Sequence, residues 1–211
     1  MEHRNAPGPR DRWLLTVAGV LLMIGGPLHP RPDLSLSFEL STAAMLGDPR
    51  WIPAHAAMLA AFAVACAGFV RIARSESGAA RASARLAAVG LGAAALESVP
   101  HLFAFVDREA LGNGGPIPVV KLHLTMATLS YPLSGFSIAA FAWMDGRGRG
   151  RSARILAVVA AIGACAHGLA APVVVATRDQ HFSRLFMGAT LVSLWLIVAG
   201  LTPRRLHAPE A

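Results

Sequence analysis

Apolar runs recur along this chain at about residues 13–28, 51–73, 86–106, 118–144, 154–176 and 183–201. Each lies near the roughly 17–25 residues that a helix needs to cross the hydrocarbon of a bilayer. The expected fold is therefore all-α: one integral membrane domain over residues 1–211, built as a six-span helical bundle. With 55% hydrophobic and 15% charged residues, the chain does not have a soluble composition.

The connections between runs give an orientation. Residues 74–85 and 145–152 are rich in Gly, Ser and Arg, as solvated loops are. The N-terminal segment (Arg4, Arg10, Arg12), the second connection (Arg71, Arg74, Arg81, Arg85), the fourth (Arg147, Arg149, Arg151, Arg154) and the C-terminal segment (Arg204, Arg205) all fall on one side of a six-span chain. By the positive-inside rule that side is the cytoplasm, which places both termini inside a bacterial-type cytoplasmic membrane. The same clustering gives the net charge of +7 a source other than nucleic-acid binding, and no nucleic-acid partner is expected.

The longest outer connection, residues 30–50, alternates over Leu34–Leu40 as a strand would, then turns helical in composition at Ser41–Leu46. A lone strand has no partner for its backbone, so an irregular or helical cap over the outer mouth is expected. A repeat is also visible. His55-Ala-Ala-Met58 and His123-Leu-Thr-Met126 occupy like-oriented runs, and the following run in each case brings another histidine, His101 and His167. This predicts two similar helical hairpins, spans 2–3 and 4–5, with spans 1 and 6 packed outside them.

The third run contains Glu97-Ser-Val-Pro-His101. A carboxyl and an imidazole at i, i+4 share one helical face. Ionisable groups cost at least roughly 2.5 kcal/mol each at the centre of a span, so they face a bundle interior, a water-filled cavity or a cofactor. Pro100 gives no N–H to the carbonyl of Leu96 and kinks the helix beside His101. Taken alone, this stretch also suits a Pro-kinked helix whose polar groups bond to neighbouring helices.

Of eight histidines, His3 and His207 lie in the terminal segments, and His29, His55, His101, His123, His167 and His181 fall one per run or run edge. All six belong to the outer half. At about 1.5 Å rise per residue, His55, His101 and His123 lie roughly 6–8 Å below the outer boundary and His167 and Glu97 roughly 13 Å below it, with His29 and His181 at the rim. One membrane histidine bridges helices; six in one leaflet point to a metal or metallo-cofactor, because imidazole is the commonest protein metal ligand. Cys66 and Cys165 have no C-x-x-C partner and read as packing residues. There is no C-x-x-C-H, no H-E-x-x-H and no Gly-rich phosphate loop, which argues against c-type haem, the main zinc protease signature and nucleotide chemistry.

In histidine placement the chain resembles integral-membrane b-type cytochromes, in which histidines on facing helices ligate haem iron. The resemblance implies one or two haem b groups near the outer surface, with His55, His101, His123 and His167 as iron ligands, His29 and His181 at a further rim site, and an electron-transfer or oxidoreductase role. Glu97 would then act in proton delivery or in the shell behind the ligands. Arg31, Arg50, Lys121 and Arg178 lie where haem propionates would be, although snorkelling to the interface accounts for them equally well.

Two other readings stay open. The pairs His55/Met58 and His123/Met126 at i, i+3 offer imidazole with thioether, a set that favours copper(I), against ordinary gap-filling by Met. Glu97 and His167 near mid-membrane, with Pro100, Pro132 and Pro172 in neighbouring runs and Tyr131 as a hydrogen-bond donor, also suit a small proton-coupled transporter. The partners expected are the lipid bilayer and a redox donor or acceptor whose identity the sequence does not give; a homodimer is left open.

Overall fold

The computed structural model describes residues 12–147 and 150–202; His3, His207, Arg4, Arg10, Arg149, Arg204 and Arg205 lie outside the described residues. Helix follows helix: α1 (Trp13–Leu28), α2 (Phe38–Leu46), α3 (Trp51–Ser75), α4 (Gly78–Phe103), a 3-10 turn (Ala104–Asp107), α5 (Arg108–Gly112), α6 (Pro118–Arg147), α7 (Arg151–Thr177), a 3-10 segment (Gln180–Met187) and α8 (Gly188–Leu201). No strand occurs among the described residues. The alternation around Leu34–Leu40 yields to a helical cap because Ser37 supplies an N-cap: its Oγ accepts from Leu40 N at 3.3 Å, and α2 starts at Phe38.

Five helical stretches are long and apolar enough to cross a membrane: Trp51–Ser75, Gly78–Gly112, Pro118–Arg147, Arg151–Thr177 and Gln180–Leu201. The helix Trp13–Leu28 is apolar but shorter, at 16 residues. Some boundaries differ from those expected. The connection expected over residues 74–85 shrinks to Glu76 and Ser77, because the Ala- and Arg-rich segment after Gly78 is a good helix former and continues straight into the apolar run. The fourth run likewise extends to Arg147.

The long helices form a closed ring in which α1 touches α3, α3 touches α4, α4 touches α6, α6 touches α7, α7 touches α8, and α8 returns to α1. The first and last runs therefore close the ring and do not pack outside two hairpins. Close approach around it rests on small residues, as is usual where no hydrophobic force drives one membrane helix onto another. A Cβ on Gly90 would stand 2.6 Å from Ser134 Cα, and one on Gly135 would stand 2.5 Å from Ala164 O. The middle of the ring is filled by apolar side chains, among them Phe62, Phe69, Leu91, Phe141, Trp195 and Leu196. Phe69 and Phe141 meet edge to face at 5.0 Å between ring centres.

The two ends of the ring differ. At one end Arg12 is buried, 3.2 Å from Asp145 at the end of α6 and 3.5 Å from Glu76 after α3. At the other, α2, α5 and the 3-10 turn form a cap whose own core is Leu46, Trp51, Ala104, Leu111 and Val120. Asp107 Oδ2 accepts from Val120 N at 2.8 Å and so caps the start of α6. Thr42 Oγ1 accepts from Gln180 Nε2 at 3.1 Å, and Glu39 pairs with Arg178, which tie α2 to the segment after α7. Six histidines lie in the half of the molecule under this cap.

Breaking the buried pair should open the first end. Removing one partner of a buried ion pair costs about 3–5 kcal/mol. Asp145→Ala is expected to fall at the lower end, about 3 kcal/mol, since Glu76 remains beside Arg12. Thermal unfolding of the purified protein in detergent would show it as a lowered midpoint; an unchanged midpoint would mean that the pair contributes nothing to holding α1 against α6.

Candidate metal centre

Four helix ends meet under the cap. His29 is the C-cap of α1, His55 sits one turn into α3, His101 lies near the end of α4, and His123 lies near the start of α6. Their rings form a row. Centre-to-centre distances are 4.8 Å for His29–His55, 4.2 Å for His55–His101 and 3.7 Å for His101–His123, the last pair stacked at 24°. Trp51, one turn before His55 on the same face of α3, packs at 3.8 Å on His55, 5.3 Å from His101 and 5.8 Å from His29. Its Nε1 donates to Leu102 O at 3.3 Å, so the indole is fixed as a lid on the row.

The hydrogen bonds settle the tautomers. His29 Nδ1 is 2.7 Å from Pro30 O, and His55 Nδ1 is 2.6 Å from Trp51 O. A carbonyl oxygen only accepts, so each Nδ1 carries the hydrogen and each Nε2 keeps a lone pair. His55 is 1% exposed and its Nε2 has no hydrogen-bond partner. Glu97, wholly buried, brings Oε1 to His123 Nδ1 in a direct hydrogen bond and to 3.5 Å from His101 Nδ1, while its Oε2 has no partner. This is the arrangement of metal-binding histidines in general: one ring nitrogen held by a carbonyl or carboxylate, the other turned to the ion. Two groups of donor atoms result, His29/His55/His101 and Glu97/His101/His123, each with its atoms within 4.8 Å of one another.

The donor set fits a bare ion. Axial imidazoles on opposite sides of an iron, at metal–nitrogen bonds of about 2.0–2.1 Å, hold their ring centres roughly 6 Å apart with the macrocycle between them. Neighbouring rings here are 3.7–4.8 Å apart, closer than that and in mutual contact. Two of the basic residues considered for propionates are otherwise engaged: Arg50 with Asp48 at 2.7 Å, and Arg178 with Glu39. The Arg50 bonds draw the half-buried Asp48 carboxyl down to about 2.

The remaining expected residues lie elsewhere. His167 is not in the row: it faces Tyr131 at 5.1 Å and Phe186 at 5.7 Å, bonds to the backbone of Phe186, and keeps a buried, unpartnered Nδ1. The repeat partner of His101 is thus a different kind of site. It borders a void of about 20 Å3, room for about one water, among Phe62, Phe69, Leu91 and Ile138. His181 is exposed at the rim and bonded to Asp179 at 2.8 Å. That ring and the His181 backbone N–H lower the Asp179 carboxyl, the backbone bond contributing most. Met58 packs into the seam with α1, its Cγ 2.9 Å from where a Cβ on Gly25 would stand, and Met126 is half-buried a turn beyond His123.

Helical rise alone puts His29 at the rim and assigns Trp51 no part. The signals were present: His29 directly follows the apolar run and precedes Pro30, and Trp51 is at i−4 from His55, the spacing that puts two side chains on one helical face. No family model, curated protein or solved structure matches the chain.

His167→Ala removes an interhelical hydrogen bond, worth about 0.6–1.7 kcal/mol in a membrane protein. A lowering of the unfolding midpoint by that small amount is expected, with the near-ultraviolet circular dichroism of Trp51 unchanged. A changed Trp51 signal would show that His167 does support the histidine row.

Proposed function

We propose that the chain is an integral membrane metalloprotein in which His29, His55 and His101 hold a redox-active transition-metal ion, iron or copper, for electron transfer or oxidoreduction at the outer face. The observation that carries this reading is the pair of Nδ1–H bonds to backbone carbonyls, which leaves the buried His55 Nε2 as an unpartnered lone pair beside His29 and His101. Three protein ligands and an open position are the pattern of a metal centre that reacts, whereas closed four-ligand sets are structural. All-nitrogen donors bind copper(II) most strongly among first-row divalent ions, and imidazole also suits iron.

The apolar packing beneath the row supports a fixed centre over a transport route. Between the row and the Arg12–Asp145 end lie Phe62, Phe69, Leu91, Ile138 and Phe141, and the void that His167 borders among them has room for about one water. Glu97 orients His101 and His123 and can hold a proton beside the ion. The thioether reading of copper has less support, since Met58 is engaged in the α1–α3 seam.

The same reading includes six spans with both termini in the cytoplasm. Although α1 is short, Arg12 before it reaches the Asp145 end and His29 after it reaches the histidine row, so it runs the height of the ring. Cysteines introduced at Ser77 and Asn113 test the orientation: an impermeant thiol reagent applied to intact cells should label Asn113 and spare Ser77. The reverse would put the histidines in the cytoplasmic leaflet. Gly148, the other loop position of interest, lies outside the described residues.

Metal analysis and an absorption spectrum on one purified sample test the centre. Iron or copper in proportion to protein is expected, without a Soret band. The metal should fall to half or less in His55→Ala and His29→Ala, and stay unchanged in His181→Ala. A Soret band with sharp reduced α and β bands would restore bis-imidazole haem, and a protein without metal or haem would return the row to a structural role.

A further inference from the structure

His101 belongs to both donor groups, and its two ring nitrogens are not equivalent. Nδ1 faces Glu97 Oε1 at 3.5 Å, on the His123 side of the row, while the ring stands 4.2 Å from His55 on the other side. Imidazole donates through two nitrogens on opposite edges, so one ring can serve two ions only if each nitrogen faces a separate ligand set. Two sets are present: His101 groups with His29 and His55, and again with Glu97 and His123.

The second set has its own mark of a ligand site. Glu97 is wholly buried, and its Oε2 has no hydrogen-bond partner. A carboxylate taken out of water is costly unless a cation or a full set of donors meets it. Here its neighbours are two imidazoles that share the other oxygen, Oε1. A metal ion would satisfy the open oxygen. It would also bring the site's single carboxylate to balance ligands that are otherwise neutral.

We propose that the row is a two-ion centre. His29, His55 and His101 hold the first ion, Glu97, His101 and His123 hold the second, and His101 bridges them as an imidazolate. This rests on the metal reading above and extends it by making Glu97 a ligand. On binding the second ion the His101 ring gives up its N–H proton to water and donates one electron pair to each metal; no electron is transferred. The positive charge that remains is met by hydroxide or another small anion at the open positions.

Titration of the metal-free, full-length protein in detergent with copper(II) tests it by stoichiometry and by electron paramagnetic resonance. Two ions per chain are expected, with the resonance integrating to well under two spins because the bridge couples them. Glu97→Gln and His123→Ala should each bind one ion and give the full signal of one uncoupled spin. His29→Ala and His55→Ala should also retain one, at the Glu97 side. Zinc added to the one-ion variants should leave the copper signal unchanged, and unaltered helical circular dichroism would show that they fold. Saturation of the wild type at one ion, with Glu97→Gln binding the same number, would overturn the second site and leave a mononuclear centre with Glu97 outside it. Two ions whose full signal of two spins survives would overturn the bridge. A wild type that binds no ion would overturn the metal reading itself.

Discussion

Glu97 is the constraint on which the rest depends. A wholly buried carboxyl in an apolar bundle has to be met by other groups, and this one is met by imidazoles from two helices. That requirement ties α4 to α6 at the capped end. Pro100 lies one residue before His101, where the helix has no backbone N–H to give. From there the row extends by ring contacts to His55 and His29, so that α1, α3, α4 and α6 all end on one polar cluster. His29 and His55 each give Nδ1–H to a backbone carbonyl, so their Nε2 atoms keep lone pairs beside Trp51.

The closed ring keeps the histidine row at one end. Small residues bring α4, α6 and α7 so close that backbone meets backbone at Gly90 and Gly135. A recess of about 430 Å3 lies between α2, the start of α3 and α5, with Trp51 as part of its wall.

Much of this was legible in the sequence, and the limits have physical causes. Apolar run length gives the helices, because hydrocarbon imposes backbone self-satisfaction whatever the side chains. The gathering of histidines at one end follows from helical rise and alternating direction, since both are independent of packing. Which histidines touch does not follow. The repeat made His167 the equivalent of His101, yet ring closure turns His167 towards Tyr131 and Phe186, because the neighbour of α7 on one side is α6 and on the other is α8. Arg12 read as one more basic residue in a loop; its partner Asp145 is 133 residues away, and only tertiary packing joins them. Ring separation, which weighs a bare ion against haem, is a distance of a few ångströms that no spacing in sequence encodes.

The central claim is that an ion is held by imidazole nitrogen in the outer half of the bundle. X-ray absorption at the metal edge of the protein as purified addresses it most directly. The account predicts a first shell of nitrogen and oxygen at about 2.0–2.2 Å, with the outer-shell scattering of three or more imidazoles and no sulfur. A sulfur shell near about 2.3 Å, or the rigid outer-shell pattern of a porphyrin, would contradict it.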